Sequence, residues 1–292
     1  MTVSRLLPWL ALLVTVLIWA SYLVVVRAAV TGDLSPADVG LLRTAPAALA
    51  FLPYTLRHGL RPSGAGIPDV FWIGIIGGGA FIVLLSTGLT FAPTADGGVF
   101  TPTILPVWVA ILAVLLAQQR YHVTQIIGLA TILAGAAIFG GATAIFEAQA
   151  GAWRGHLLFI LASLSWAIYT FRFRQSGLSP VAGTAIMATI PAMLFVVWIM
   201  VQGTSIHQLP PEVLALQLGQ GLAAGLIANF TFFYAIQHLG PSIPAASAAL
   251  VPVLAAIGAW LFLGEPISTV KAIGMAIAAC GVVLASGLVS RR

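Results

Sequence analysis

Charge is what this sequence has least of. Asp, Glu, Lys and Arg make up 7% of its 292 residues, against roughly 25% in an ordinary soluble domain. With 60% hydrophobic residues, the chain cannot cover itself with a water-compatible surface, and a soluble enzyme is excluded. Cysteine is nearly absent. Cys280 stands alone, so no intramolecular disulfide or cysteine metal cage can form, and it reads as a small apolar member of the last hydrophobic run. Acids are missing from the middles of the runs, and all five His lie near run ends, so no proton-relay carboxylate is expected at a membrane midplane. The sequence contains no GxxxxGK(S/T), no HExxH and no paired acidic cluster. A nucleotide-driven pump, a metal site and a resident cofactor are therefore not expected. The net charge of +5 raises nucleic acid as a partner, but the basic residues sit singly at run ends without forming a stripe.

What is present is a series of apolar runs. Punctuation by Gly, Pro and polar clusters divides the chain into ten, at roughly 8–30, 36–57, 67–88, 95–117, 123–145, 155–173, 179–202, 213–237, 242–263 and 269–290. Each is about long enough for a membrane helix of ~20 residues, and in lipid only helices or a closed barrel satisfy the backbone. The first run is too long for a signal-peptide core, and no small-x-small site closes it at the usual distance, so it is expected to be kept as a span. The expected fold is all-α, integral to a membrane, with ten transmembrane helices.

The chain also repeats itself. A shift of 146 lays Pro106 on Pro252, Ala110 on Ala256, and Gly128, Gly135 and Gly141 on Gly274, Gly281 and Gly287. Nearly the same shift matches Trp19 and Tyr22 to Trp166 and Tyr169, and Leu34-Ser35-Pro36 to Leu178-Ser179-Pro180. Two units are expected, 1–147 and 148–292. Five spans is an odd number, so the halves would cross in opposite senses, as inverted repeats of secondary transporters do.

Ala245-Ala246, Pro252 and Leu263-Gly264-Glu265-Pro266, followed by Gly274 and Gly281, resemble the drug/metabolite transporter superfamily, specifically two tandem EamA-type units. The first half departs from the motif, with Ala117-Gln118-Gln119-Arg120 where Leu-Gly-Glu-Pro would stand. Within the superfamily the chain looks most like YddG-type amino-acid exporters. The resemblance implies ten helices, cytoplasmic termini in a bacterial inner membrane, and export of amino acids or related metabolites. It does not indicate the particular substrate, the coupling ion or the oligomeric state. An integral-membrane enzyme would need a clustered nucleophile–base set at one face, and a channel would need repeated polar rings; the sequence offers neither.

Several mid-run residues stand out as substrate-site candidates. Trp19 and Tyr22 are three apart and share a helix face; Trp166 and Tyr169 repeat them. They read either as facing aromatic walls of a central cavity or as helix-packing residues. Trp9, Trp72, Trp153 and Trp260 lie near run ends and read as interfacial anchors. Spans 4 and 9 carry Pro102, Pro106, Pro241, Pro244 and Pro252, expected as kinks that act as hinges or are passive. Thr101, Thr103 and Ser247 could supply hydroxyls there. Arg43 is the one charge well inside a run, with Asp96 its most plausible protein partner, a substrate carboxylate an alternative, and snorkelling to headgroups a third. Asn229 and Tyr234 are further polar candidates. Gly77-Gly78-Gly79 and Gly225 read first as packing positions, and Gly128/Gly135 with Gly274/Gly281 as packing seams. The expected partners are a small-molecule substrate and the lipid bilayer.

Orientation follows from the basic residues. Arg5, Arg57, Arg61, Arg120, Arg172, Arg174, Arg291 and Arg292 would lie at inner ends if the N-terminus is inside, against Arg27, Arg154 and Lys271 at outer ends. Asp33, Asp38, Glu147, Glu212 and Glu265 then fall outside. A C-terminal reporter that works only in the cytoplasm should therefore be active; activity confined to a periplasmic reporter would reverse the topology.

Overall fold

The computed structural model describes residues 3–32, 34–146, 151–240, 242–248 and 250–285. Asp33, Glu147, Pro241, Gly287, Arg291 and Arg292, all singled out by the sequence, lie outside the described residues, as does the side chain of Arg5. Every regular element among the described residues is helical. The helices are α1 (Val3–Val30), α2 (Pro36–Ala50), α3 (Leu52–His58), α4 (Ile67–Phe91), α5 (Thr94–Phe100), α6 (Leu105–Ala117) and α7 (Val123–Phe146). They continue with α8 (Ala152–Ser176), α9 (Pro180–Gln202), α10 (Pro211–Leu239), α11 (Ser242–Ser247), α12 (Leu250–Leu263) and α13 (Thr269–Ala285). Counting the α5–α6 stretch as one, seven helices among the described residues are long and apolar enough to cross a membrane, and eight if the bent pair α2–α3 is one span. At 1.5 Å per residue, 25 residues of α4 reach about 37 Å, more than the ~30 Å hydrocarbon core.

The repeated sequence signals have repeated local causes. Ser35 accepts from the Asp38 N–H and Asp38 returns the bond, a capping box with Pro36 in the first turn of α2. Ser179 caps α9 in the same way through the Ala182 N–H, with Pro180 next. At the other end of the repeat, α6 closes with Gln118 at φ 50, and α12 closes beside Gly264 at φ 66. The Gln119 N–H then reaches the Ala113 carbonyl, and the Glu265 N–H the Ala259 carbonyl, bonds between equivalent residues of the two units. Glycine takes this left-handed turn without a Cβ clash; glutamine does not.

α7 and α13 lie along a glycine seam. A Cβ on Gly135 would sit 2.7 Å from the Gly274 carbonyl oxygen, and one on Gly281 2.8 Å from that of Gly128, so only hydrogen at these positions permits the approach. Cys280 faces outward from α13. Elsewhere the packing exchanges partners between the two halves. α1 packs on α10 and α12, while α8 packs on α4 and α6; α2 meets α10, and α9 meets α4.

Three features differ from the sequence expectation. The run 36–57, expected to be continuous, bends by 67° between α2 and α3, where Pro53 in the first turn of α3 can supply no N–H to the helix before it. The runs 67–88 and 213–237 were expected to be regular α-helix, yet Val70–Ala80 and Ala223–Ala228 are π-helical. In the two proline-rich runs the helix stops and restarts. Pro106 lies in the first turn of α6, Pro252 in that of α12 and Pro244 in that of α11, where a missing N–H has no intrahelical partner to lose. These prolines begin helices; they do not kink them from within.

Replacing Gln118 with Gly should stabilise the folded protein by about 1 kcal/mol, read as a raised unfolding midpoint in detergent. Gly264→Gln should lower it by a similar amount.

Candidate functional site

α1 and α8 bring their aromatic pairs together. Trp19 and Trp166 meet edge to face, with ring centroids 4.6 Å apart at 87°. Phe232 closes on Trp19 at 4.8 Å and Phe81 on Trp166 at 5.8 Å, edge contacts of the kind aromatic rings favour. Beneath them is a cavity of about 40 Å³, lined by Trp19, Tyr22, Arg43, Thr44, Thr101, Pro102, Trp166, Tyr169 and Asn229, together with apolar residues and glycines of α1, α4, α9, α10 and α12. At 10–15 Å³ for each water, it has room for about three waters, less than any amino acid.

Seven of the eight residues expected to bind substrate thus share one cavity. The eighth, Ser247, does not: it lies outside the lining, and its hydroxyl donates to the Ile243 carbonyl of its own helix, as Ser and Thr do where a helix carbonyl is in reach. Thr103 is buried but also outside the lining, and Tyr234 stacks on Phe230 and His238 away from it. Of the expected hinge prolines, Pro102 alone lines the cavity, while Pro252 presses its backbone against Gly98 of α5, so the two helix restarts touch.

The π segments shape the cavity wall. Gly77 and Gly78 of one and Gly225 of the other face it. A Cβ on Gly77 would come within 2.5 Å of Tyr169, and one on Gly225 within 2.5 Å of the Arg43 carbonyl oxygen. These glycines let an aromatic ring and a helix backbone close in. Carbonyls in each π segment are met by side chains: Ser165 donates to Ile76 at 2.6 Å, and the Asn229 amide to Gly225 at 3.0 Å. Sequence reading flagged the glycines as packing positions but missed Phe81, Phe232 and Ser165, which nothing local distinguishes from other residues of apolar helices.

Arg43 is 7% exposed and does not pair with Asp96. Its guanidinium carbon sits 4.2 Å from the centre of the Tyr22 ring and 5.5 Å from that of Phe81, inside the range of cation–π attraction. Asp96 lies at one end of the bundle and is fully buried, accepting from His156 at 2.7 Å and Lys271 at 3.1 Å. His156 stacks on Phe100, and the Lys271 ammonium lies 5.3 Å from the Phe139 ring centre. At the same end Glu265 pairs with Arg27 at 3.1 Å and accepts from the Thr94 N–H. That carboxylate thus ties the end of α1 to the start of α5, and Arg27 also donates to the Leu89 carbonyl of α4. The opposite end has its own ion pair, Asp69 with Arg172 at 2.6 Å. Asp96 was drawn away from Arg43 because Lys271 and His156, distant in sequence, begin their helices beside it. Among the described residues, no group of three or more His, Cys, Asp or Glu is placed to hold a metal.

Comparison with known proteins gives two matches to the EamA-like transporter family, at residues 6–141 and 153–287. A protein of Streptantibioticus cattleyicolor named "Probable terminal-alkyne amino-acid exporter" is 28% identical over 94% of this chain and 91% of its own. "Uncharacterized transporter YdfC" of Bacillus subtilis is 26% identical over 91% of this chain and 86% of its own. A solved crystal structure superposes with a TM-score of 0.71 over 98% of both chains at 20% identity, a likeness of fold.

The buried ion cluster yields a stability prediction. Lys271→Met leaves Asp96 buried with less compensation and should cost about 3 kcal/mol. Adding Asp96→Asn to that variant should return part of the loss, read by thermal unfolding of the purified protein.

Proposed function

The chain belongs to the EamA-like transporter family, a multi-pass membrane protein whose relatives are transporters, and from that premise we propose a secondary transporter that exports amino acids or related small metabolites by alternating access. Its ten crossings are the seven long helices, the bent pair α2–α3, the broken pair α11–α12, and α13. They form two inverted units, 1–147 and 148–292, in a bacterial inner membrane with both termini in the cytoplasm.

The observation that carries the reading is the cavity beneath the Trp19–Trp166 contact, to which each unit contributes its Trp and Tyr. Equivalent residues meeting at one place is what a two-fold axis between the units would produce. The exchange of helix partners supports the same axis, as do the reciprocal contacts of Gly135 with Gly274 and of Gly128 with Gly281. A site between inverted repeats, beside broken helices, is the usual place for transporter substrates. The named amino-acid exporter among the relatives supports an amino acid as cargo.

At the Trp19–Trp166 contact the path to the cavity is closed. Ion pairs hold both ends of the bundle, and the cavity is too small for cargo, so Trp19 and Trp166 must part to admit it. The restarts at Thr101–Ile104 and around Ala248 supply the backbone freedom, because Pro102, Pro106 and Pro252 give no N–H to a ladder that only a few bonds, such as Thr103 N–H to Val99 and Ala248 N–H to Pro244, carry through them.

Counterflow in proteoliposomes loaded with a panel of amino acids tests this reading. Saturable exchange of at least one is expected, and no exchange of any would overturn it. Trp19→Ala and Trp166→Ala should raise the apparent substrate constant severalfold or stop flux, consistent with on the order of 1 kcal/mol for a buried aromatic contact beyond its area. Trp72→Ala, on the exposed face of α4, should leave the kinetics unchanged.

A further inference from the structure

The charge of the cavity says what part of a substrate it grips. Among the described residues lining it, Arg43 is the one charged side chain, and no carboxylate faces it. Among the described residues, no ion pair includes Arg43. Arginine does not lose its proton in proteins, and a buried cation is costly without a counter-charge. The rings of Tyr22 and Phe81 offset part of that cost, but a ring does not accept the in-plane N–H bonds of a guanidinium. Arg43 Nη1 is buried with no hydrogen-bond partner. The Tyr22 hydroxyl and the Thr101 hydroxyl, which line the same cavity, are also buried without one. So is the Trp166 indole N–H, and four groups able to donate thus converge on the cavity, from α1, α2, α8 and the break between α5 and α6. Asn229, by contrast, already spends an amide hydrogen on Gly225.

We infer that the cavity is a carboxylate site: Arg43, Tyr22 and Thr101 hold the carboxylate of the substrate, and Trp19, Trp166 and Phe81 receive its apolar part. This rests on the transporter reading above and narrows its substrate class. The cavity supplies no acid for an ammonium group. The carboxylate therefore earns recognition and the amine is dispensable, so the cargo class includes apolar carboxylic acids lacking the amine as well as apolar amino acids. Decarboxylated amines, and amides of the same side chain, bring a positive charge toward Arg43 and are rejected.

The test uses the purified full chain in detergent and four probes sharing one side chain: phenylalanine, 3-phenylpropionate, phenethylamine and phenylalaninamide. Unfolding midpoints are measured against probe concentration at neutral pH. Both acids should stabilise the protein with apparent constants within about threefold of each other, and the two cations should not stabilise it. Arg43→Gln should weaken both acids by at least about tenfold, the size expected for a charged hydrogen bond, and Arg43→Lys should restore part of the binding as a point charge without the fork. Equal stabilisation by amine or amide would overturn the inference, as would phenylalanine binding without 3-phenylpropionate, or no binding by either acid. The wild-type series decides the matter even if Arg43→Gln fails to fold. Amino-acid counterflow that persists alongside such a failure leaves the transporter reading standing. Acid binding without any counterflow sinks that reading and leaves the anion site.

Discussion

In hydrocarbon, a backbone N–H or carbonyl that leaves the helical ladder finds no water to bond, and an unmet group costs several kcal/mol. The helices of this protein leave the ladder at the π segments of α4 and α10, between α5 and α6, and between α11 and α12. At both π segments and at the start of α5, protein groups supply what the bilayer cannot. Ser165 reaches across from α8 to the Ile76 carbonyl, Asn229 turns back to Gly225, and Glu265 takes the Thr94 N–H at the start of α5. Prolines occupy first turns, where an N–H would have no helical partner. The irregular backbone is affordable only where other chain segments surround it, so the breaks gather around the cavity and not on the outer surface.

The same constraint separates the charges. Asp96, Lys271 and His156 form a compact buried cluster at one end, where helix starts converge and the Asp96 carboxylate meets the Lys271 ammonium and the His156 ring. Arg43, farther in, is surrounded by rings and glycine-lined backbone. One set of ionisable groups closes the end of the bundle; the other leaves a cation facing its middle. Their roles differ because of what surrounds them, since an arginine with an acid beside it is a clamp and one without is a receptor for an anion.

Close approach between helices depends on hydrogen where a side chain would stand. Gly128, Gly135, Gly274 and Gly281 let α7 and α13 lie backbone to backbone, and Gly77 and Gly225 let Tyr169 and the α2 backbone close the cavity wall. In a membrane the lipid is as apolar as the side chains, so helix association relies on such contact and on buried polar bonds more than on expelling water. A glycine is then a contact point, and its place in the sequence marks where two helices touch without naming the partner.

The sequence alone determined that the apolar runs are helical, helix starts such as those at Ser35-Pro36 and Ser179-Pro180, and the duplication, because these rest on local chemistry. Apolar runs must become helices in lipid, Ser-Pro starts one whatever lies elsewhere, and a repeat is visible as a shift. It also named seven of the residues that share the cavity, because polar and large aromatic side chains are conspicuous in an Ala/Val/Leu/Gly background. What it left undecided were relations between distant segments. The sequence could pair Arg43 with Asp96 as the two charges within plausible reach, but only the tertiary structure set Lys271 and His156 beside Asp96 and the Tyr22 ring beside Arg43. Ser247 looked like a cavity hydroxyl until its own helix carbonyl proved the nearer acceptor. The π turns were illegible as well, since a helix widens where neighbours such as Ser165 can take up its freed carbonyls, and those neighbours are assembled only when the chain folds.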